Sequence, residues 1–259
     1  MKRLVIFILL SFSCGNALSL GQTGHRITGQ IAESYLTEKT KIELSKIVGN
    51  ESLAEASSYV DEMRSNPDKF WQKTANYYHY VTVPKGKAFD DRDSPTHKDA
   101  VFAIQKYSNI VRDSESSKKD KVLAIKFIIH LIADLHQPLH VGNGTDRGGN
   151  DLKLKFFGRN TNLHRIWDTD MLAQKQLSYT EWANWLNRQI TKQDVAEWSQ
   201  TDPLVWINES IAIRGTIYPI KTELGFGYMY HNLPTLKLRL KQAGVRIAVY
   251  LNYLFQDVK

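Results

Sequence analysis

The sequence predicts a mainly α protein: a single helical domain carrying one small β-hairpin. Three observations predict it. Apolar residues recur at helical spacing through most of the 259 residues. Strand-and-turn chemistry is concentrated in residues 152–162, where an alternating run is followed by Gly158-Arg159-Asn160. No internal repeat, low-complexity tract or Pro/Gly-rich linker divides the chain, and 42% hydrophobic with 11% aromatic residues supplies one sizeable core.

The first segment is not part of that domain. Met1-Lys2-Arg3 followed by the apolar run 4–10 reads as a basic head and hydrophobic stretch of an export leader. Ala17 and Ser19 place small residues at −3 and −1, so cleavage is expected after Ser19, leaving 20–259 as the mature domain. The apolar run is too short for a membrane anchor. Cys14, the one cysteine, lies inside the leader, so the exported domain is expected to be periplasmic or secreted and free of disulfides.

Thr23 can cap a helix running to about Leu36, with Ile27, Ile31, Ala32 and Tyr35 on one face. A second helix is expected over 40–48. Ser52 opens a third, from Leu53 to about Arg64, with Asp61 in its last turn. Residues 77–83 have strand character and carry His79. The stretch 85–94, with Gly86, three aspartates and Arg92, reads as a solvated loop, and a helix is expected over 96–112.

The next helix organises the chain. Val122 to Ile129 is apolar except at Lys126, which marks a buried helix, and the polar residues that follow rule out a membrane span. His130 and Asp134 then stand at i and i+4 on one face; Pro138 ends the helix and His140 follows. A buried aspartate needs a partner. For one His–Asp pair a hydrogen bond would do, but His164 and Asp168 repeat the spacing downstream. Imidazole and carboxylate donors without thiolates suit zinc. Beyond the glycine-rich loop 142–149 and the hairpin, helical patterns run from Ile166 to about Phe255, broken at Pro203, Pro219 and Gly225–Gly227. Trp182, Trp185, Trp198 and Trp206 read as helix packing. His97, His136 and His231 read as ordinary structural or surface residues.

The net charge is +7, and removing Lys2 and Arg3 leaves 7 − 2 = +5, which favours polyanionic partners.

Taken together, Gly24-His25, Val60-Asp61, Tyr78-His79, His130-x3-Asp134-x-His136-Gln137-Pro138-Leu139-His140, Gly148-Gly149-Asn150 and His164-x2-Trp167-Asp168 resemble the S1/P1 nuclease family. The resemblance extends from about Leu20 to the last helix. It implies the phospholipase C/P1 nuclease fold, three zinc ions, and hydrolysis of single-stranded DNA or RNA to 5′-phosphate products, with 3′-nucleotidase activity. Single-stranded nucleic acid and 3′-nucleotides would be the substrates of a monomer that does not insert into membranes.

By the same resemblance Asp61, His79, His130 and Asp134 hold the first zinc, and His140, His164 and Asp168 the second. The third takes His25, Asp134 as a bridge, and the amino nitrogen and carbonyl oxygen of Leu20, which stands where the family usually begins with tryptophan. Arg64 matches the phosphate-binding arginine, and Asp61 would orient the attacking water. Asn150 would add a polar contact near the phosphate. Tyr80 would stack on a base, and Thr82 replaces the acid that fungal members carry there. Clustered dications lower the pKa of bound water and offset phosphate charge, which is the chemistry a phosphodiesterase needs.

The zinc phospholipases C, related in fold and metal site, are the alternative reading, in which the phosphodiester belongs to a lipid headgroup. A zinc-storage protein is a weaker one, since storage has no use for Arg64 beside the cluster.

Overall fold

The structure, a computed structural model, describes residues 20–93 and 96–256. The leader expected over 1–19, with its cleavage point, falls outside the described residues.

The chain is mostly helical, as its patterning requires. Helices α1 (Gln22–Glu33), α2 (Glu38–Val48) and α3 (Leu53–Glu62) come first, and α4 (Ala100–Arg112) packs on α5 (Lys118–Leu135). Short helices α6 (Leu163–Arg165) and α7 (Met171–Ala173) flank a π-helical turn, Ile166–Asp170; α8 (Tyr179–Asn187), α9 (Lys192–Trp198), α10 (Pro203–Arg214) and α11 (Phe226–Phe255) complete the order. The strands are short. β1 (Val81–Thr82) pairs in parallel with β2 (Val141–Gly142). β3 (Lys153–Phe156) lies between antiparallel β4 (Arg159–Asn162) and parallel β5 (Glu223–Leu224).

Helix α5 is the axis of the fold. Ser117 caps it by accepting from Asp120 N–H, and every residue from Ala124 to Leu135 is buried, against α3, α4 and α11. Lys126 survives there by reaching out: its Nζ donates to Glu51 at 2.7 Å and lies 4.1 Å from the Tyr59 ring centre. Helix α1 crosses α3 closely enough that a Cβ on Gly29 would stand 2.4 Å from Leu53 O. Only glycine admits that approach.

Several boundaries differ from the sequence reading. Gly21, not Thr23, is the N-cap of α1, with no side-chain cap. Helix α4 begins at Ala100 because Asp99 accepts from the N–H groups of Val101 and Phe102. His79 is not on a strand: it ends a 3₁₀ turn, Ala75–His79, that follows a π-helical turn at Phe70–Thr74. The hairpin turn is Phe157-Gly158, so Arg159 and Asn160 already belong to the return strand. Trp182, Trp198 and Trp206 are buried as helix packing requires, whereas Trp185 is 47% exposed.

His136, the residue that caps the C-terminal end of α5, is buried and turns its ring to an arginine of α11. Its Nδ1 donates to Ile132 O and its Nε2 accepts from Arg246, while Arg239 donates to its carbonyl. Arg239 and Arg246 are buried and share Glu209, whose Oε2 stands 2.5 Å from Nη1 of each. Burial pushes the Glu209 carboxyl up, but the two guanidiniums outweigh it and the value falls below the usual carboxylate range. Removing one partner from such a group strands buried charge and costs about 3 kcal/mol. Glu209→Ala should therefore lower the melting temperature by roughly 6–12 °C in a chain this size. Since the folded value is depressed, the stabilisation is present above the ordinary carboxylate range. It should disappear as pH falls through the folded value, closing the gap between wild type and variant in calorimetry.

Candidate metal centre

Eight of the ligand candidates converge on one place, although they come from α1, α3, the 3₁₀ turn before β1, α5, the turn after it, and the helical run 163–170. Three sets of side chains each offer donor atoms lying within 4.8 Å of one another: His25, His130 and Asp134; Asp61, His79 and His130; His140, His164 and Asp168. All are buried except Asp61, which is partly so.

Asp134 sits at the junction. Its Oδ2 is 2.9 Å from His79 Nδ1 and 3.3 Å from His130 Nε2, while Oδ1 is 3.4 Å from both His25 Nε2 and His140 Nδ1. The same Oδ1 lies 3.4 Å from Leu20 N. The side chain of Leu20 is 3% exposed and packs over Gly24, where an added Cβ would meet Leu20 Cγ at 2.7 Å. In the second group, Asp168 Oδ2 is 3.0 Å from His164 Nε2, and Oδ1 is 3.5 Å from His140 Nε2.

The rings are aimed by backbone carbonyls. Nδ1 of His130 meets Ser57 O at 2.7 Å, that of His140 meets His79 O at 2.8 Å, and that of His164 meets Gly148 O at 2.8 Å. A carbonyl only accepts, so each Nδ1 carries the proton and Nε2 faces inward. Gly148 serves this from a left-handed turn, φ +62°, where a Cβ would stand 2.3 Å from Leu139 O. Gln137 completes the frame. Its Oε1 accepts from Leu139 N–H, which turns Nε2 to donate to Asp168 Oδ1 at 2.5 Å. Sequence reading passed over Gln137, although it sits in the central motif; carboxylates in such clusters commonly need an outer hydrogen-bond donor.

The donor set fits a cation. A neutral imidazole that donates through Nδ1 presents a lone pair at Nε2, and here those lone pairs face carboxylate oxygens. Buried atoms His140 Nε2 and Asp168 Oδ2 have no hydrogen-bond partner among the described residues. Positive charge must enter such a cluster, as protons or as metal. For His140, burial works against the charged ring, but Asp134 and Asp168 overcome it and raise the imidazole to about 9. Burial likewise opposes ionisation of Asp168, yet His164 and His140 bring it down to about 2. His79 goes the other way, to about 4, through burial and then the nearby Arg64 guanidinium. Asp134 and Asp168 are thus held ionised, and five imidazoles with carboxylates form a set suited to divalent zinc.

Arg64 reaches the rim from the 3₁₀ turn Met63–Ser65, with Nε 3.2 Å from Asp61 Oδ1 and its side chain 22% exposed. Tyr80 is half buried next to His79, its ring centre 6.4 Å from that of Tyr77. Asn150 turns its amide inward to the loop, donating to Arg147 O at 2.9 Å. His97 and His231 are exposed and outside the cluster, as the sequence reading has them.

A sequence model of the S1/P1 Nuclease family matches residues 20–256. Among curated relatives, Endonuclease 3 of Arabidopsis thaliana is 31% identical over 283 residues, covering 97% of this chain and 94% of its own length. Nuclease S1 of Aspergillus oryzae is 28% identical over 268 residues, covering 90% of this chain and 91% of its own. Among solved structures, alpha toxin from Clostridium absonum superposes with a TM-score of 0.58 at 14% identity, over 95% of this chain and 65% of the toxin, a likeness of fold.

Proposed function

The chain belongs to the S1/P1 nuclease family, and we propose that within it this protein is an endonuclease of single-stranded DNA and RNA with 3′-nucleotidase activity, using three zinc ions and leaving 5′-phosphates. That it is a nuclease, a hydrolase of phosphodiesters acting on nucleic acid, follows from the family and its relatives. The observation carrying the finer reading is Asp134, whose two oxygens face two different donor sets.

Asp61, His79, His130 and Asp134 would hold the first ion, His140, His164 and Asp168 the second. His25, Asp134 and the nitrogen and carbonyl oxygen of Leu20 would hold the third. When bound, the ions supply an acidified water and offset the phosphate's charge. The protein's own groups do the rest. Asp61, partly exposed beside the cluster, orients the attacking water and takes up its proton at a carboxylate oxygen. Arg64, anchored on Asp61 through Nε, turns its remaining N–H groups to the equatorial phosphate oxygens as charge builds. Tyr80 offers a ring for a splayed base, which an unpaired strand can present and a duplex cannot; Asn150 borders the phosphate through its loop. The domain works as an exported monomer, periplasmic or secreted, after cleavage behind Ser19. Among the described residues no helix is long and apolar enough to cross a membrane.

The test offers purified mature protein single-stranded DNA, RNA, a 3′-mononucleotide and phosphatidylcholine side by side, with metal analysis of the same sample. Expected are about three zinc per chain, hydrolysis of the first three substrates, and loss of activity with a chelator. Active protein holding one zinc or none would overturn the trinuclear reading. Hydrolysis of the lipid alone would replace nuclease by phospholipase.

A further inference from the structure

The turn closing the β3–β4 hairpin contains an ill-suited residue. Phe156 pairs with Arg159, so Phe157 and Gly158 form a two-residue loop, and both adopt left-handed backbone, φ +49° and +76°. Turns of this form favour Asn-Gly. Gly158 meets the requirement, and nothing stands within 4 Å of where its Cβ would be. Phe157 is a bulky residue in a strained conformation, and strain of this kind collects at functional positions. Its ring lies edge-on to Phe226, centres 4.8 Å apart, and Phe226 is 80% exposed.

The strand leading to that turn is cationic on its outer side. Leu154 and Phe156 face the core, and Lys153 and Lys155 are exposed. Across β4 stand Asn162 and Asn160. The acid on this face, Glu223 of β5, meets Lys155 at 3.3 Å in an exposed pair worth little in water. The face is tied to the metal centre through the chain: Asn162 caps the helix that carries His164, and Lys153 Nζ donates at 2.8 Å to Asn150 O, in the loop whose Gly148 carbonyl meets His164.

We propose that this hairpin face binds the part of a single-stranded nucleic acid that leads away from the cleaved phosphodiester, with Lys153 and Lys155 on phosphates and Phe157 and Phe226 stacked against bases. Cations along a strand that ends in one exposed ring, Phe226, beside a partly buried one, Phe157, are the chemistry of single-strand binding. The inference rests on the nuclease reading above and extends it to the length of strand the protein holds.

Phe157→Asn separates function from fold, because asparagine is the residue the turn prefers. Its melting temperature should stay close to that of wild type, the relief in the turn offsetting the packing lost from a partly buried ring. Its KM for an oligothymidylate of about 20 nucleotides, longer than a typical single site, should rise about tenfold, the loss of roughly one stacked base. A 3′-mononucleotide, which cannot reach the hairpin, should be cleaved as by wild type. Lys153→Ala with Lys155→Ala should reduce the salt dependence of oligonucleotide binding, lowering the log–log slope by about 1.4 for two phosphate contacts. Unchanged KM and slope would overturn the proposal, and so would an equal loss on the mononucleotide, which would place the effect at the metal centre. If wild type cleaves no nucleic acid, the nuclease reading fails. Fluorescence anisotropy of the labelled oligothymidylate on wild type and variants then tests the face by itself. Binding of anionic vesicles that Phe226→Ala abolishes, with no oligonucleotide binding, would reassign the face to lipid.

Discussion

Asp134→Asn should be the most damaging single substitution in the chain, reducing hydrolysis by at least about a hundredfold and leaving the protein short of two of the three zinc ions proposed for it. The oxygens of this fully buried carboxylate face two donor sets at close range, Oδ2 toward His79 and His130 and Oδ1 toward His25, whereas those of the partly exposed Asp61 stand 3.8 Å or more from His130 and His25. Asparagine keeps the shape, but removes the charge and turns two N–H donors toward imidazole lone pairs. Loss of His25 alone should cost one ion, because the other sets do not include it. Zinc content by mass spectrometry, set beside rates for Asp134→Asn and His25→Ala, checks the difference. Wild-type zinc and rate in the aspartate variant would remove Asp134 from its bridging role. The variant should still fold, since α5 is held by its apolar faces.

The convergence of histidines and aspartates was legible in the sequence because their spacing is local and periodic. His130 and Asp134, and again His164 and Asp168, share a helix face at a spacing that survives any error in where the helix ends. Composition and patterning likewise gave the helical class and the hairpin. Features set by distant partners were not legible. Val81 and Thr82 pair with Val141 and Gly142 across some sixty residues, and that short parallel bridge, not strand propensity in 77–83, fixes the position of His79. Asp99 stops α4 from starting earlier by taking two backbone N–H groups, a cap that only the three-dimensional path selects over Thr96. Gln137 stands between two histidines in the sequence, and only the fold brings its amide to Asp168. The hairpin turn falls at Phe157-Gly158, ahead of the Gly158-Arg159-Asn160 expected, because Phe157 takes a backbone conformation that its side chain disfavours.

The second large effect concerns the amino terminus. A protein carrying even one extra residue before Leu20 should lose the third zinc and most of its activity, yet stay folded. Leu20 N stands 3.4 Å from Asp134 Oδ1, and His25 Nε2 approaches the same oxygen at 3.4 Å, so nitrogen, imidazole and carboxylate surround one point. The side chain of Leu20 is buried over Gly24, and Gly21 N–H donates to Asp168 O at 3.0 Å, which fixes the segment whether or not it is extended. What extension changes is the nitrogen. An amide has no lone pair to give, whereas a free α-amine has a pKa near 7.7–8.0 and yields its proton to zinc at mild pH. The comparison is between protein with its terminus generated at Leu20 by a protease and protein with a residual methionine, each terminus verified by mass spectrometry. Melting temperatures without metal should agree, while zinc content should differ by about one ion per chain and rates should diverge. Equal zinc and equal rates would show that the amine is not a ligand, and the convergence of Leu20 N and His25 on Asp134 would then be packing alone.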